Sequence, residues 1–286
     1  MTDFAQLAHG ATQHPDASPD EVMTIAASRL LEDGKVIFAG IGQPLVAAAI
    51  AKRRQAPHLT VLLEGGMIGV ELLPGELPAS TNELRAAVGA EMLTSASDIF
   101  LMAQRGFFDY GFIGAAQVDR FGNVNTSVIG DPRAPTVRLP GPGGANDIAS
   151  MCNQCVIVTA HEPRRFVERV DFVTSPGYLD GGDTRAGAGL LHGGPRWVVT
   201  DLALLDFEQQ SRRMRVHSLQ AGVSLDQVRE ATGFELLVRE DVDHLRPVDD
   251  DELRVLRHLV SGSRGPGHLT EPAPETGAAR RAQGSR

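Results

Sequence analysis

Residues 34–66 read GKVIFAGIGQPLVAAAIAKRRQAPHLTVLLEGG. Lys35 to Ala39 is a short apolar run. Gly40-Ile41-Gly42-Gln43-Pro44 is a tight turn, and Leu45 to Arg53 repeats small apolar residues at helical spacing. Leu59 to Leu63 is a second apolar run, closed by Glu64 and two glycines. Apolar strands this short, bounded by glycine and joined through a helix, are the kind buried on both faces. The pattern predicts parallel strands in a sheet covered by helices.

Upstream, Ser18-Pro19-Asp20-Glu21 predicts a helix start. Ser18 is the N-cap, Pro19 stands at the first helical position and Glu21 completes a capping box. Val22, Ile25, Ala26 and Leu30 follow at helical spacing, and Gly34 closes the segment. Downstream, helices are predicted over Asn82–Leu93 and Asp98–Gln104, and strands over Gly111–Ala115 and Val124–Val128 with a turn at Gly122-Asn123. A glycine loop from Gly141 leads to a short helix and the strand Val156–Thr159. Further strands are predicted at Arg196–Thr200, Leu204–Phe207 and Met214–His217, and amphipathic helices with acidic starts at Ser224–Ala231 and Asp249–Leu259. The expected fold is α/β: one domain, residues 20–260, with an open, mainly parallel sheet flanked by helices. Residues 1–19 read as a loose N-terminal arm, and 261–286, rich in Gly, Pro, Ala and charge, as a disordered tail.

Composition narrows the function. The chain has 286 residues, is 42% hydrophobic and carries a net charge of −9. The acidic balance disfavours a nucleic-acid partner. No apolar run approaches the roughly 18–20 residues of a membrane span. The N-terminus has neither a basic nor an apolar signal region, and two cysteines suit a reducing compartment. The expected location is the cytoplasm.

P-loop, nucleophile-elbow and H-E-x-x-H motifs are absent. Gly40-Ile41-Gly42 lacks the third glycine of a dinucleotide fingerprint and reads first as a tight turn. Cys152-Asn153-Gln154-Cys155 has no second ligand pair, and His161 supplies one ligand at most. Structural cysteines and no metal site are therefore expected. Gly141-Pro142-Gly143-Gly144-Ala145 before a helix either tolerates positive φ in a turn or presents backbone N–H groups to an anion or transient oxyanion. Asn146 and Asp147 are candidate caps for that helix. Glu64 stands at the carboxyl end of a strand, where open parallel sheets bind ligands. It is either a capping or salt-bridging residue, or a carboxylate nucleophile or base.

Taken in order, several segments resemble the β subunit of family I CoA-transferases, most closely the glutaconate CoA-transferase type. They are Ala39–Leu45, Leu62–Met67, Gly114–Asn125 (GAAQVDRFGNVN), Gly141–Asn146, His161–Phe166, Val173–Gly177, Val198–Asp201 and Ala231–Phe234. The resemblance covers about residues 20–260 and is poor over 68–110. It implies that Glu64 attacks an acyl-CoA and carries CoA as a glutamyl thioester. Backbone N–H groups of Gly143, Gly144 and Ala145 would stabilise the oxyanions. Gly40, Gly42, Gln117 and Asn125 become candidate substrate- or CoA-binding positions, and Arg164 and Arg165 either pair with an anion or form a solvated turn. No permanently bound cofactor is implied; the CoA thioester is a substrate. The implied partner is an α-type subunit in an α2β2 assembly, with no nucleic acid or membrane. The implied acids are dicarboxylates such as glutaconate, or 3-oxo acids. Acyl-CoA hydrolases and decarboxylases share this scaffold and stand as alternatives, as does a non-catalytic partner subunit. One departure is Gly65, where relatives often carry Ser or Asn.

Overall fold

Helix α1 (Pro19–Arg29) opens as the sequence predicts. The Ser18 side chain accepts from the Glu21 N–H at 3.3 Å, and Glu21 accepts from the Ser18 N–H at 2.8 Å. The chain is described here by a computed structural model covering residues 11–190 and 192–261. The expected tail, apart from Ser261, and the first ten residues of the expected arm lie outside these. Residues 13 and 14 of the arm lie against the last helix: Gln13 accepts from the Val248 N–H at 2.9 Å, and His14 meets Asp250 at 3.0 Å.

After α1, a turn at Asp33-Gly34 leads into β1 (Val36–Phe38), α2 (Gln43–Arg53) and β2 (Thr60–Leu63). Next come β3 (Met67–Ile68), β4 (Met92–Leu93), α3 (Ala96–Gln104) and β5 (Tyr110–Gly114). Two small hairpins pair β6 (Gln117–Val118) with β7 (Val124–Asn125), and β8 (Val128–Ile129) with β9 (Val137–Arg138). The rest comprises α4 (Ala145–Met151), β10 (Gln154–Val158), the single turn α5 (Thr184–Gly187), β11 (Pro195–Val199), β12 (Ala203–Phe207), β13 (Met214–Leu219), α6 (Leu225–Glu230), β14 (Leu237–His244) and α7 (Asp250–Val260).

Ten strands form one sheet in the order β14-β13-β12-β11-β10-β5-β1-β2-β3-β4. Its centre, β11-β10-β5-β1-β2, is parallel throughout. Toward the edges β2-β3, β3-β4, β11-β12 and β12-β13 are antiparallel, and β14 returns parallel to β13. Strand side chains alternate between faces. Ile37, Val61, Leu63, Phe112, Val156 and Val158 join the core under α1, α2 and α7. Phe38, Leu62, Ile113, Cys155 and Ile157 join the core under α3, α4 and α6. The structure is thus the expected α/β sheet with helices on both faces, and none of the described helices is long and apolar enough to cross a membrane.

Helix α7 closes the first of these layers onto α1. The buried Glu252 carboxylate accepts from Arg29 Nε at 2.9 Å and Nη2 at 2.6 Å, and from Arg246 Nη2 at 2.7 Å. Buried carboxylates persist where charge-assisted bonds replace their hydration.

Three expectations need correction. Asn82–Leu93 is not a helix: one 3₁₀ turn (Leu84–Ala87) is followed by strand β4. Its apolar residues Leu84, Val88, Met92 and Leu93 are exposed, so helical periodicity finds no core to cover, and Gly89 at φ +76° breaks the run. Val124–Val128 is not one strand, because Asn125 Oδ1 accepts from the Ser127 and Val128 N–H groups and turns the chain between β7 and β8. The first helix stops at Arg29, before Gly34, which serves the following turn. Strand β14 gives no clear signal in LVREDVDH, since as an edge strand it is nowhere fully buried.

Candidate active site

A cavity of about 370 Å³ opens at the carboxyl ends of β1, β2 and β5. Its base is apolar: Phe38, Phe112, Ile113, Ile148 and Val158. Gly40, Ile41, Gln43 and Pro44 form one wall and Pro142–Ala145 another. Glu64 and Thr81 complete it, and Glu64 is the one ionisable side chain among the lining residues.

Strand β2 ends at Leu63, so Glu64 leaves the sheet at its carboxyl edge and is only partly buried. The two glycines after it are obligatory here. Gly66 lies at φ +99°, and a Cβ there would fall 2.0 Å from Thr94 O. A Cβ on Gly65 would fall 2.6 Å from both Thr81 O and Asn82 Oδ1. The Gly65 N–H also donates to Thr81 O at 3.2 Å. The departure at residue 65 thus lets the 79–83 segment close against the Glu64 turn and carry Thr81 into the cavity.

The glycine loop meets Glu64 face to face. A Cβ on Gly144 would lie 3.1 Å from Glu64 Oε2 and 3.2 Å from Glu64 Cδ and Phe100 Cζ. The loop itself is a turn: Gly141 is at φ +91°, Gly143 at φ +51°, and the Ala145 N–H donates to Pro142 O at 2.9 Å. That bond corrects one expectation, since the Ala145 N–H is committed inside the turn. The Gly143 and Gly144 N–H groups have no acceptor among the described residues. Asn146 and Asp147 do not cap α4 either. Gly144 is the N-cap and, as glycine, has no side chain to cap with, while the Asn146 amide reaches outward to Thr174 O at 2.7 Å.

The other candidates divide. Gly40 lines the cavity, whereas Gly42, at φ +87°, starts α2 beside it. Gln117 and Asn125 stand outside the lining. Both are buried, joined by Asn125 Nδ2 to Gln117 Oε1 at 2.7 Å, and Gln117 donates to Asp171 at 3.0 Å. Arg164 is exposed and pairs with Glu162, while Arg165 donates to Ala115 O at 2.8 Å. This is a turn held by its own charges. Cys152 and Cys155 are free and fully buried, and burial pushes the Cys155 thiol up to about 12. His161 stacks on Phe166 at 3.9 Å between Thr200 and Thr232, and burial lowers it to about 3. No group of three His, Cys, Asp or Glu with metal-site geometry occurs among the described residues.

Sequence reading missed Gln43 and Thr81 as lining residues. Gln43 lay within the decisive segment, as a turn residue. Thr81 arrives through a non-local backbone contact and carries no local signal.

Comparison with known proteins identifies the family. A family model described as Coenzyme A transferase matches residues 21–231. The B-type subunit of the 3-oxoadipate CoA-transferase of Pseudomonas knackmussii is 42% identical over 243 residues, which covers 85% of this chain and 93% of that protein. The B-type subunit of the glutaconate CoA-transferase of Acidaminococcus fermentans is 35% identical over 84% of this chain and 91% of that one. The crystal structure of glutaconate coenzyme A-transferase from the same organism superposes with a TM-score of 0.80 at 30% identity, over 92% of this chain and all of that one. This chain is a member of the coenzyme A transferase family.

Proposed function

We propose that this chain is the β subunit of a cytoplasmic CoA-transferase and that Glu64 carries CoA between an acyl-CoA and a carboxylic acid. The observation that carries the reading is the Glu64 carboxylate, which lines an otherwise uncharged cavity beside Gly144. A Glu64 carboxylate oxygen attacks the thioester carbonyl, and the carbonyl electrons become an oxyanion. Its collapse breaks the C–S bond, releases CoA thiolate and leaves a mixed anhydride on Glu64. The thiolate then attacks the Glu64 carbonyl. The C–O bond breaks, the first acid departs as its carboxylate, and Glu64 holds CoA as a thioester. An acceptor carboxylate repeats both steps in reverse and regenerates Glu64. The kinetics are ping-pong.

Each addition passes through an oxyanion. The Gly143 and Gly144 N–H groups are its donors, each worth about 2.7–4 kcal/mol in comparable sites. The apolar base keeps water from the anhydride. Gly40 and Gly42 give the CoA chain a bare backbone edge to pass. The CoA thioester is a substrate, and no permanently bound cofactor takes part. The acids are 3-oxoadipate, glutaconate or a related dicarboxylate, as the names of the two relatives suggest. Each relative is named as a single subunit of its enzyme, which supports an α-type partner here, assembled as α2β2 around the folded unit 20–260.

The test uses the complex of this chain with its α-type partner. Succinyl-CoA is added, the complex is treated with borohydride, and peptides are mapped by mass. Reduction of Glu64 to its alcohol only when acyl-CoA is present, with loss of transfer in E64Q, supports the proposal. Consumption of succinyl-CoA without an acceptor, with Glu64 unmodified, overturns it in favour of hydrolysis or decarboxylation. Full activity in E64Q leaves this chain as a non-catalytic partner.

A further inference from the structure

We infer that Asn146 is a positioning residue, one that fixes the glycine loop against Glu64 by tying it to a buried polar lattice around Asn125. The inference rests on the transferase reading above. Three of the five residues from Gly141 to Ala145 are glycine, so the loop has little stiffness of its own. It is anchored at both ends. At its start the Gly141 N–H donates to Thr126 O at 2.9 Å. At its end the Asn146 amide donates to Thr174 O at 2.7 Å.

Both anchors belong to one lattice. The Thr126 N–H donates to Thr174 Oγ1 at 3.0 Å, and Ser127 Oγ lies 2.7 Å from the same oxygen. Thr174 Oγ1 lies 3.3 Å from Asn125 Oδ1. A threonine hydroxyl offers one donor and two acceptor positions. Giving its proton to Asn125 leaves its two lone pairs for Thr126 and Ser127, so every position is used. Asn125, fully buried, spends its own amide on Gln117 Oε1 at 2.7 Å and Val128 O at 2.5 Å. Gln117 in turn bonds Asp171 through both its amide and its carbonyl. Apart from the Thr126 hydroxyl, which is buried without a partner, these side-chain groups are paired, and a network so paired is rigid.

The lattice thus holds Thr126 O and Thr174 O as two fixed points. The loop spans them, and Gly143 and Gly144 lie between. A Cβ on Gly144 would fall 3.1 Å from the Glu64 carboxylate, so any slack at Asn146 moves the two free N–H groups relative to the reacting carbon. Arg185 reinforces the far end of α4 by donating to Ala149 O at 2.7 Å, which makes the first turn the place where the helix can shift.

Asn146 is exposed, so its substitution leaves the core intact. N146A removes the tie. N146D, the same size, sets a carboxylate against Thr174 O. Each variant is examined in the complex with the α-type partner. Transfer is read with succinyl-CoA and 3-oxoadipate, and amide hydrogen exchange is read across residues 141–146. We expect kcat to fall about tenfold or more, most in N146D, with KM for both substrates within about twofold. Exchange within the loop should quicken about five- to tenfold, as for loss of one hydrogen bond, with other segments unchanged. A kcat within about twofold in N146D overturns the inference, and so does faster exchange spread over β10 and β5. If the unsubstituted complex transfers no CoA to 3-oxoadipate, to glutaconate or to a related dicarboxylate, the transferase reading fails. Loop exchange unchanged in both variants overturns the clamp whichever way that reading falls.

Discussion

The contact between Gly144 and Glu64 allows activity to be separated from stability. Gly144 has φ −79° and ψ 0°, which any residue adopts. Alanine there incurs no backbone strain and removes freedom from the unfolded chain, a gain of about 0.4–1 kcal/mol. Against this stand three tight contacts, 3.1 and 3.2 Å to the flexible Glu64 carboxylate (Oε2 and Cδ) and 3.2 Å to Phe100 Cζ. Net stability in G144A should therefore stay within about 1 kcal/mol of the unsubstituted chain. The new methyl would sit 3.1 Å from Glu64 Oε2, where ordinary contact begins near about 3.5 Å. The carboxylate must retreat by roughly 0.4 Å. If a misplacement of about 1 Å costs on the order of 100-fold, that retreat costs roughly sixfold in kcat. G144V extends the side chain and drives the displacement toward about 1 Å and 100-fold. The assay is steady-state CoA transfer by the complex with the α-type partner, alongside thermal unfolding of each variant. Equal kcat in all three proteins would refute the reasoning, because the glycine loop would then not set where the Glu64 carboxylate lies.

The two glycines after Glu64 should rank by their geometry. G66A meets Thr94 O at 2.0 Å in a positive-φ conformation and should cost about 3 kcal/mol or more. G65A meets Thr81 O at 2.6 Å with no φ penalty and should cost about 1–3 kcal/mol; the reverse order in urea unfolding would contradict this account of the turn. His161 makes the fold acid-sensitive. Burial lowers its pKa from 6.5 to about 3, so between those values the unfolded chain binds more protons than the native one. The contribution is complete above pH 6.5 and declines as pH falls through the window, by about 2 kcal/mol at pH 5. H161Q removes the titration, so the stability lost between pH 7.5 and pH 5 should be about 2 kcal/mol smaller in the variant. Equal losses in the two proteins would show that His161 is not held neutral.

The sequence was readable where signals are local. The Ser18–Glu21 capping box, the β1-α2-β2 unit and Glu64 at a strand end each depend on a few neighbouring residues. Segment 82–93 misled because its apolar spacing implies a buried face, yet Leu84, Val88, Met92 and Leu93 are exposed. Asn125 and Gln117 lie within a segment typical of the family, and their polarity suggested ligand contact. Their amides are instead spent on each other, on Val128 O and on Asp171. No local pattern distinguishes a buried polar frame from a binding surface, because the difference lies in what the distant chain brings to each amide. Thr81 and the Asn146–Thr174 bond are of the same kind.

The bond from Arg29 to Glu252 spans 223 residues of sequence. On the ribosome, α1 and α2 emerge well before α7 and are left with an open apolar face until it appears. Leu253, Leu256 and Leu259 then cover Val22, Ile25 and the alanines of α2, as they share one core. The sheet centre can assemble earlier, since β1, β2 and β5 all precede Ala115. Closure of the α1–α2–α7 layer joins residues 223 apart in sequence, and closures so non-local are slow and exposed to aggregation. A nascent chain stalled before Asp250 displays that face to its neighbours, so α7 is the helix that hides it.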